Sequence, residues 1–167
     1  DMNDISAFGL LSLAVAGDGR ISVTRNGGRS WSSVTPTGFE GAIFTTIAMD
    51  VSGRGVTASG GYLLVKRDWA GAWQAPAFDG PSPNAAINAV ALQGLHAVAV
   101  GEEGMILSSE DGGATWRRVS SPTVSSLTCV ALAGDGTGVA GAESGEILTG
   151  SGESWKLAGS ASAAITS

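Results

Sequence analysis

Trp31, Trp73, Trp116 and Trp155 stand 42, 43 and 39 residues apart, and each closes a turn of similar chemistry. Four strands of about five residues, with the turns that join them, occupy about forty residues. The tryptophans therefore mark the period of a small sheet built four times along the chain, and any fold it adopts must stack or circle four copies of one unit.

Aligned on the tryptophans, the third copy is the clearest. It reads INAVAL (87–92), LHAVAVG (95–101), a turn EEG, MILSS (105–109) and DGGATWRRV (111–119). The fourth reads LTCVAL, TGVAGAESG, EILTG and SGESWKLA; the second FTTIAM, GVTASGG, YLLVKR and DWAGAWQAP; the first ISAFGL, LSLAVAGDG, RISVT and RNGGRSWSSV. These runs are too short for a helical stripe, rich in β-branched and small apolar residues, and bounded by Gly, Asp or Ser, so each is expected to be a strand. No segment reads as a helix. The expectation is an all-β fold, a β-propeller of four four-stranded blades at about 5–39, 43–78, 86–121 and 126–158, within a single domain over 1–167.

Between the second and third strands lie GDGR (17–20), SGGY (59–62), GEEG (101–104) and AESG (142–145), where glycine supplies a positive φ for a tight hairpin. They are not phosphate cradles, since no GxxxxGK[ST] is present and no helix N-terminus follows to hold an anion. The 26 glycines and the mean hydropathy of +0.21 suit short buried strands joined by many turns, and exclude a disordered segment.

The net charge is −6, and basic residues cluster only as the pairs Lys66-Arg67 and Arg117-Arg118, which argues against nucleic acid as a partner. No apolar run approaches the roughly 20 residues that span a bilayer, and no basic-then-apolar signal segment opens the sequence. The expectation is a soluble chain without membrane insertion, with an extracellular or virion surface favoured as its location. Cys129 is alone, within LTCVAL, and reads as a small buried hydrophobe rather than a disulfide or metal ligand.

SEDGGATW (Ser109–Trp116) and TRNGGRSW (Thr24–Trp31) resemble the Asp-box, or BNR repeat, of pattern Ser/Thr-x-Asp-x-Gly-x-Thr/Ser-Trp. The third copy matches at Ser109, Asp111, Gly113, Thr115 and Trp116, and the first at Thr24, Gly28, Ser30 and Trp31 with Asn26 in place of aspartate. The second, KRDWAGAW, keeps Asp68 and Trp73 but has Ala70 where glycine is expected; the fourth, TGSGESW, keeps Trp155 but is one residue short and has no acid at the box position. The resemblance implies a turn in which the Asp or Asn oxygen accepts backbone N–H groups, glycine takes positive φ, and tryptophan buries its ring between blades. The chain looks most similar to propellers of the photosystem II assembly and stability factor type, and more distantly to sialidases, sortilin-type receptors and xyloglucan-cleaving glycosidases, a group with one fold and several functions.

After the fourth copy, SAAITS (162–167) resembles the opening of a further blade, so 161–167 is expected to be a stray first strand. Asp1 precedes Met2, which suggests a processed or excised piece. Four blades can close as a small ring, pair with a second copy, or dock onto further blades, and self-association through the end strands or a protein partner is expected. The insertion PAFDGPSPNAA (76–86) is expected to be a loop.

Catalytic constellations are missing. Tyr62 is the only tyrosine, and the arginine cluster and FRIP segment of sialidases are absent. A glycosidase needs two carboxylates roughly 5 to 10 Å apart, and Asp18, Glu102, Glu103, Asp135 and Glu143 are available, although turn acids mostly solubilise. His96 is the single histidine, without a nucleophile or an HExxH pair, and no EF-hand run occurs, so no metal and no cofactor are expected. Trp69, beside Lys66, Arg67 and Asp68, interrupts its box, and Trp69 with Arg67 is the candidate contact site for a protein or a glycan; otherwise the indole covers its own hairpin. The expected function is a non-enzymatic structural or protein-binding module of a larger assembly, with a carbohydrate-binding module or part of a glycosidase-type propeller as the alternative.

Overall fold

Each apolar run becomes a strand that pairs antiparallel with the next, because the short Gly-rich links leave no length for a crossover. The computed structural model describes residues 2–16, 18–161 and 164–166. Sheet 1 holds β1 (Met2–Phe8), β2 (Leu11–Ala16), β3 (Ile21–Thr24) and β4 (Ser32–Val34) in that order. Sheet 2 holds β5 (Thr46–Met49), β6 (Gly55–Ser59) and β7 (Tyr62–Lys66). Sheet 3 is built from β9 (Ile87–Gln93), β10 (His96–Gly101), β11 (Ile106–Ser109) and β12 (Thr115–Val119), and sheet 4 from β13 (Leu127–Leu132), β14 (Gly138–Ala142), β15 (Glu146–Ser151) and β16 (Ser154–Ser160). A three-residue 3-10 turn, Glu102–Gly104, replaces the tight hairpin in GEEG.

Sheet 2 departs from four strands. Its fourth strand shrinks to one bridge, Gln74 to Val65, and the chain then leaves. Pro76 follows two residues later and has no N–H to continue the ladder. The insertion after it, expected to be a loop, is in part a strand: β8 (Ala77–Asp79) lies parallel to β12, pairing Trp116 with Phe78, and gives sheet 3 a fifth, outermost strand.

The sheets stack face to face in chain order, with inner strands β1, β5, β9 and β13 touching in succession. Three apolar layers lie between them. Val15, Ile21, Phe44, Ile47 and Leu64 fill the first; Val56, Leu63, Leu92, Leu107 and Trp116 are in the second; Val98, Ile106, Leu127, Leu148 and Trp155 are in the third. At about 1.5–3 kcal/mol for each large side chain fully removed from water, these layers are the main source of cohesion. Among the described residues, no contact of comparable extent links β13 back to β1. One face of sheet 1 and one face of sheet 4 therefore have no sheet against them. Ala161 and residues 164–166 are not in a strand; the rest of the expected stray strand (Ser162, Ala163, Ser167) lies outside the described residues, as does Gly17 of GDGR.

Candidate functional site

Two elements recur around the molecule: the tryptophan turns at its outer side and the junctions between inner strands. In the third turn the Ser109 hydroxyl donates to Asp111 Oδ1 at 2.8 Å, the Gly113 N–H donates to Ser109 Oγ at 2.9 Å, and the Thr115 N–H donates to Asp111 Oδ1 at 2.9 Å. Gly112 and Gly113 have φ of 74° and 91°, a region that costs any residue with a Cβ. Burial works against the Asp111 charge, but hydrogen bonds from Thr115, Ser109 and Ala114 outweigh it and hold the carboxyl below its usual range. In the first turn Thr24 donates to Asn26 Oδ1 at 3.0 Å, Gly28 N–H to Thr24 Oγ1 at 2.9 Å and Ser30 N–H to Asn26 Oδ1 at 2.9 Å. The amide oxygen of Asn26 does what the Asp111 carboxylate does.

The degenerate turns differ in kind. Asp68 Oδ1 accepts from Ala70 and Gly71, two and three residues on, rather than from the position that Thr115 fills. Trp155 lies across its own sheet, its ring filling the space above Gly138 and Gly150, where an added Cβ would come within 2.7 and 2.6 Å of the indole. Its Nε1 is buried without a partner among the described residues.

The expectation that every tryptophan buries between sheets is corrected. Trp116 is 0% exposed and donates from Nε1 to Gly113 O at 2.8 Å, and Trp155 is buried, but Trp73 is half-buried and Trp31 is 44% exposed. The reason is position. Trp116, Trp155 and Trp73 pack toward the preceding sheet, and among the described residues none lies on that side of sheet 1. An added Cβ on Gly113 would lie 3.2 Å from Val56 and Val65 of sheet 2, whereas one on the equivalent Gly28 meets only Trp31.

Trp69 is half-buried, with its ring against Gly53 and its Nε1 3.4 Å from Val51 O. Lys66 Nζ donates to the carbonyls of Trp69 and Gly71. Burial pushes the Lys66 ammonium below its usual value, with Asp68 opposing and Arg25 adding to the shift. The gap beside these groups is only about 50 Å3, walled by Ile21, Arg25, Val34, Lys66, Trp69 and Trp73; Arg67 is exposed and outside it. His96 is half-buried at the start of β10, beside a polar cavity of about 460 Å3 that also meets Glu110, Arg117, Asp135 and Glu153.

The inner junctions hold a feature that the sequence pattern does not display. Asn3 Nδ2 donates to Phe44 O, Thr45 Oγ1 to Ile87 O, Asn88 Nδ2 to Leu127 O, and Thr128 Oγ1 to Ile165 O, across separations of 41, 42, 39 and 37 residues. One side-chain donor near the start of each inner strand thus fastens the next repeat. Asp4 Oδ2 and Ser6 Oγ add bonds from Ile47 N–H and Met49 N–H in the first junction. Asn and Thr at these places look like ordinary strand residues, so only the repeated offset could have found them.

Inside the arc, β1, β5, β9 and β13 line a cavity of about 400 Å3 that includes Asn3, Asp4, Thr46, Asn88 and Cys129. Cys129, expected to be buried, is half-exposed there. No family model and no curated protein matches the sequence. Solved structures do. YCF48 bound to D1 peptide superposes with a TM-score of 0.70 at 18% identity, over 93% of this chain and 53% of that one. An ancestral GH74 enzyme gives 0.70 at 14% identity, over 93% and 25%, and the computationally designed protein Ika8 gives 0.70 at 17%, over 97% and 49%. The fold is a β-propeller. The chain spans about half the length of the YCF48 and Ika8 chains and a quarter of the glycosidase.

Proposed function

We propose that this chain, read as one propeller domain over 1–167 with Asp-box turns at Ser109–Trp116 and Thr24–Trp31, is a non-enzymatic module that binds protein within a larger assembly, in a virion or another multi-protein complex. The observation that carries the reading is the joint surface of the inner strands. The cavity of about 400 Å3 inside the arc adjoins a second of about 440 Å3, whose walls include Asn88, Glu102, Ser126, Thr128 and Glu143. Glu102 and Glu143 occupy equivalent turns of sheets 3 and 4 and meet the same space. With a net charge of −6 behind them, they suit an extended basic protein segment. The similar YCF48 structure, which carries a peptide, supports the same class of partner.

The placement of the other acids supports a binding role over a catalytic one. Asp18 accepts from Arg20 N–H, Asp50 from Ser52 and Arg54 N–H, and Asp135 from Thr137 N–H, each within its own turn. Hydrogen bonds from Thr123 and Ser144 hold Glu146 below the usual carboxylate range. The hydrogen bonds from Thr137 likewise hold Asp135 below the usual range, and for Asp135 and Glu146 this is the opposite of what a proton-donating acid needs. The gap of about 50 Å3 at Trp69 is too small for a sugar ring in the present arrangement.

Panning a displayed library of extended peptides against the protein tests the reading. Basic sequences should be enriched, bind with shifts in the amide resonances of Asn88 and Glu143, and lose about tenfold or more in affinity in Glu143→Lys. Selection of no peptide, with binding to a glycan array lost in Trp69→Ala, would replace the reading with the carbohydrate alternative.

A further inference from the structure

Of the asparagines in the chain, Asn26 alone is followed by glycine, and it stands where the third turn has Asp111. An Asn-Gly pair sets two reactive groups side by side. The backbone nitrogen of the glycine is a nucleophile, the side-chain amide of the asparagine is an electrophile, and glycine has no Cβ to crowd the approach. Asn26 and Gly27 are both exposed, so water and hydroxide reach them.

The first turn keeps these two groups apart. Asn26 Oδ1 accepts from the Thr24 hydroxyl at 3.0 Å and from the Ser30 N–H at 2.9 Å, and Asn26 Nδ2 donates to Ser30 Oγ at 2.8 Å, so both ends of the amide are tied. The Gly27 N–H donates to Leu10 O at 2.9 Å, at the tip of the hairpin between β1 and β2. The nitrogen that would attack is therefore latched to the hairpin through its own proton. The third turn has the same latch, from the Gly112 N–H to Leu95 O at 2.8 Å, but a different cover. Gly112 is buried, and an added Cβ there would lie 2.9 Å from the Arg54 side chain of sheet 2; on the exposed Gly27 it would meet only Leu10 among the described residues.

We propose that Asn26 is a self-modification site, whose side-chain amide is lost to attack by the Gly27 nitrogen when the first turn opens. In that step hydroxide takes the Gly27 N–H proton and the nitrogen bonds to Asn26 Cγ. The Cγ–Nδ2 bond then breaks, and ammonia leaves with a proton from water, which restores the hydroxide. A cyclic imide remains, and water adds to one of its carbonyls and opens the ring. No oxidant or reductant takes part. Opening on one side gives aspartate at position 26; opening on the other gives isoaspartate, in which the main chain runs through Cγ and is one carbon longer.

The products have different fates. Asp111 already closes the third turn with the same bonds that Asn26 makes, so the aspartate product rebuilds the first turn with one further negative charge. The isoaspartate product displaces Gly27 from Leu10 O and releases the hairpin from the turn. The chain thus carries a clock that advances each time its first turn opens.

Incubation of the full chain at mildly alkaline pH, followed by peptide mapping that separates aspartyl from isoaspartyl products, tests this. Both products should form at position 26 ahead of every other asparagine, slowly in the folded chain and faster in urea. Ser30→Ala, which unties Nδ2 and remains folded by circular dichroism, should speed the folded-state reaction about fivefold by raising the fraction of open turns. Thr24→Ala should speed it further, because the Gly28 N–H loses its acceptor as well. The double exchange Asn26→Asp with Asp111→Asn moves the same Asn-Gly pair under Arg54 and should slow the reaction several-fold. Equal rates in the folded chain and in urea, or before and after the exchange, would show that the turn does not gate the reaction and overturn the proposal. A slower reaction in Ser30→Ala, or earlier loss of amide at Asn3, Asn84 or Asn88, would overturn it too.

Discussion

The Thr115 N–H donates to Asp111 Oδ1 at 2.9 Å, and the Ser30 N–H donates to Asn26 Oδ1 at the same length, so a charged and a neutral side chain close the same turn. The charge of Asp111 is therefore dispensable for geometry and matters for pH. Its carboxyl is held below the usual value in the folded chain, so the stabilisation it contributes is complete above the unfolded value of about 3.9 and disappears as pH falls through the lower folded value. Asp111→Asn should keep the fold near neutrality, at a cost of about 1 kcal/mol or less, and should flatten the acid limb of stability. Urea denaturation of both proteins between pH 7 and pH 2 measures this, and an unchanged acid limb in the variant would count against the assignment.

Trp116 and Trp31 fill the same place in two turns but not the same environment, one 0% and the other 44% exposed. Trp116→Ala removes a ring packed among Val56, Val65 and Leu107 and should cost about 3–5 kcal/mol. Trp31→Ala should cost less than about 1 kcal/mol. Equal costs in chemical denaturation would mean that Trp31 has a partner surface within its own chain.

Much of this was legible in the sequence for a simple reason. Strand runs and turn glycines are local, and the tryptophan period multiplies a weak local signal four times. What the pattern could not carry was which partner a segment meets. Phe78 looks like the end of the second repeat, yet β8 pairs with Trp116 in the third, because a three-residue strand has no register of its own until a free edge captures it. Trp31 carries the same motif as Trp116, yet among the described residues no sheet lies against its ring. Asn3, Thr45, Asn88 and Thr128 share a role but not a residue type, since any short side-chain donor reaches a carbonyl there.

Those junction donors give a graded expectation. Asn88 Nδ2 reaches Leu127 O at 2.9 Å, while Thr45 Oγ1 lies 3.4 Å from Ile87 O. Asn88→Ala leaves a carbonyl between the third and fourth sheets without its donor and should cost about 1–2 kcal/mol. Thr45→Ala, which removes a longer bond, should cost less. Hydrogen exchange adds a spatial check: Asn88→Ala should speed exchange in β13 and β14 more than in β1 and β2, because neighbouring sheets support one another in sequence.

Glycines with the same backbone demand separate strain from clash. Gly60 has φ of 55° with nothing within 4 Å of an added Cβ, whereas Gly104 has φ of 65° and an added Cβ would sit 2.0 Å from Thr123 O. Gly60→Ala should therefore cost only the left-handed penalty, about 1–2 kcal/mol. Gly104→Ala must also push apart the 3-10 turn and the segment leading into β13, and its cost should be larger by about 1–3 kcal/mol. If thermal denaturation finds the two substitutions equally costly, then the 102–104 turn yields freely. In that event the wall carrying Glu102, which faces the cavity shared with Glu143, is shaped by its occupant rather than set in advance.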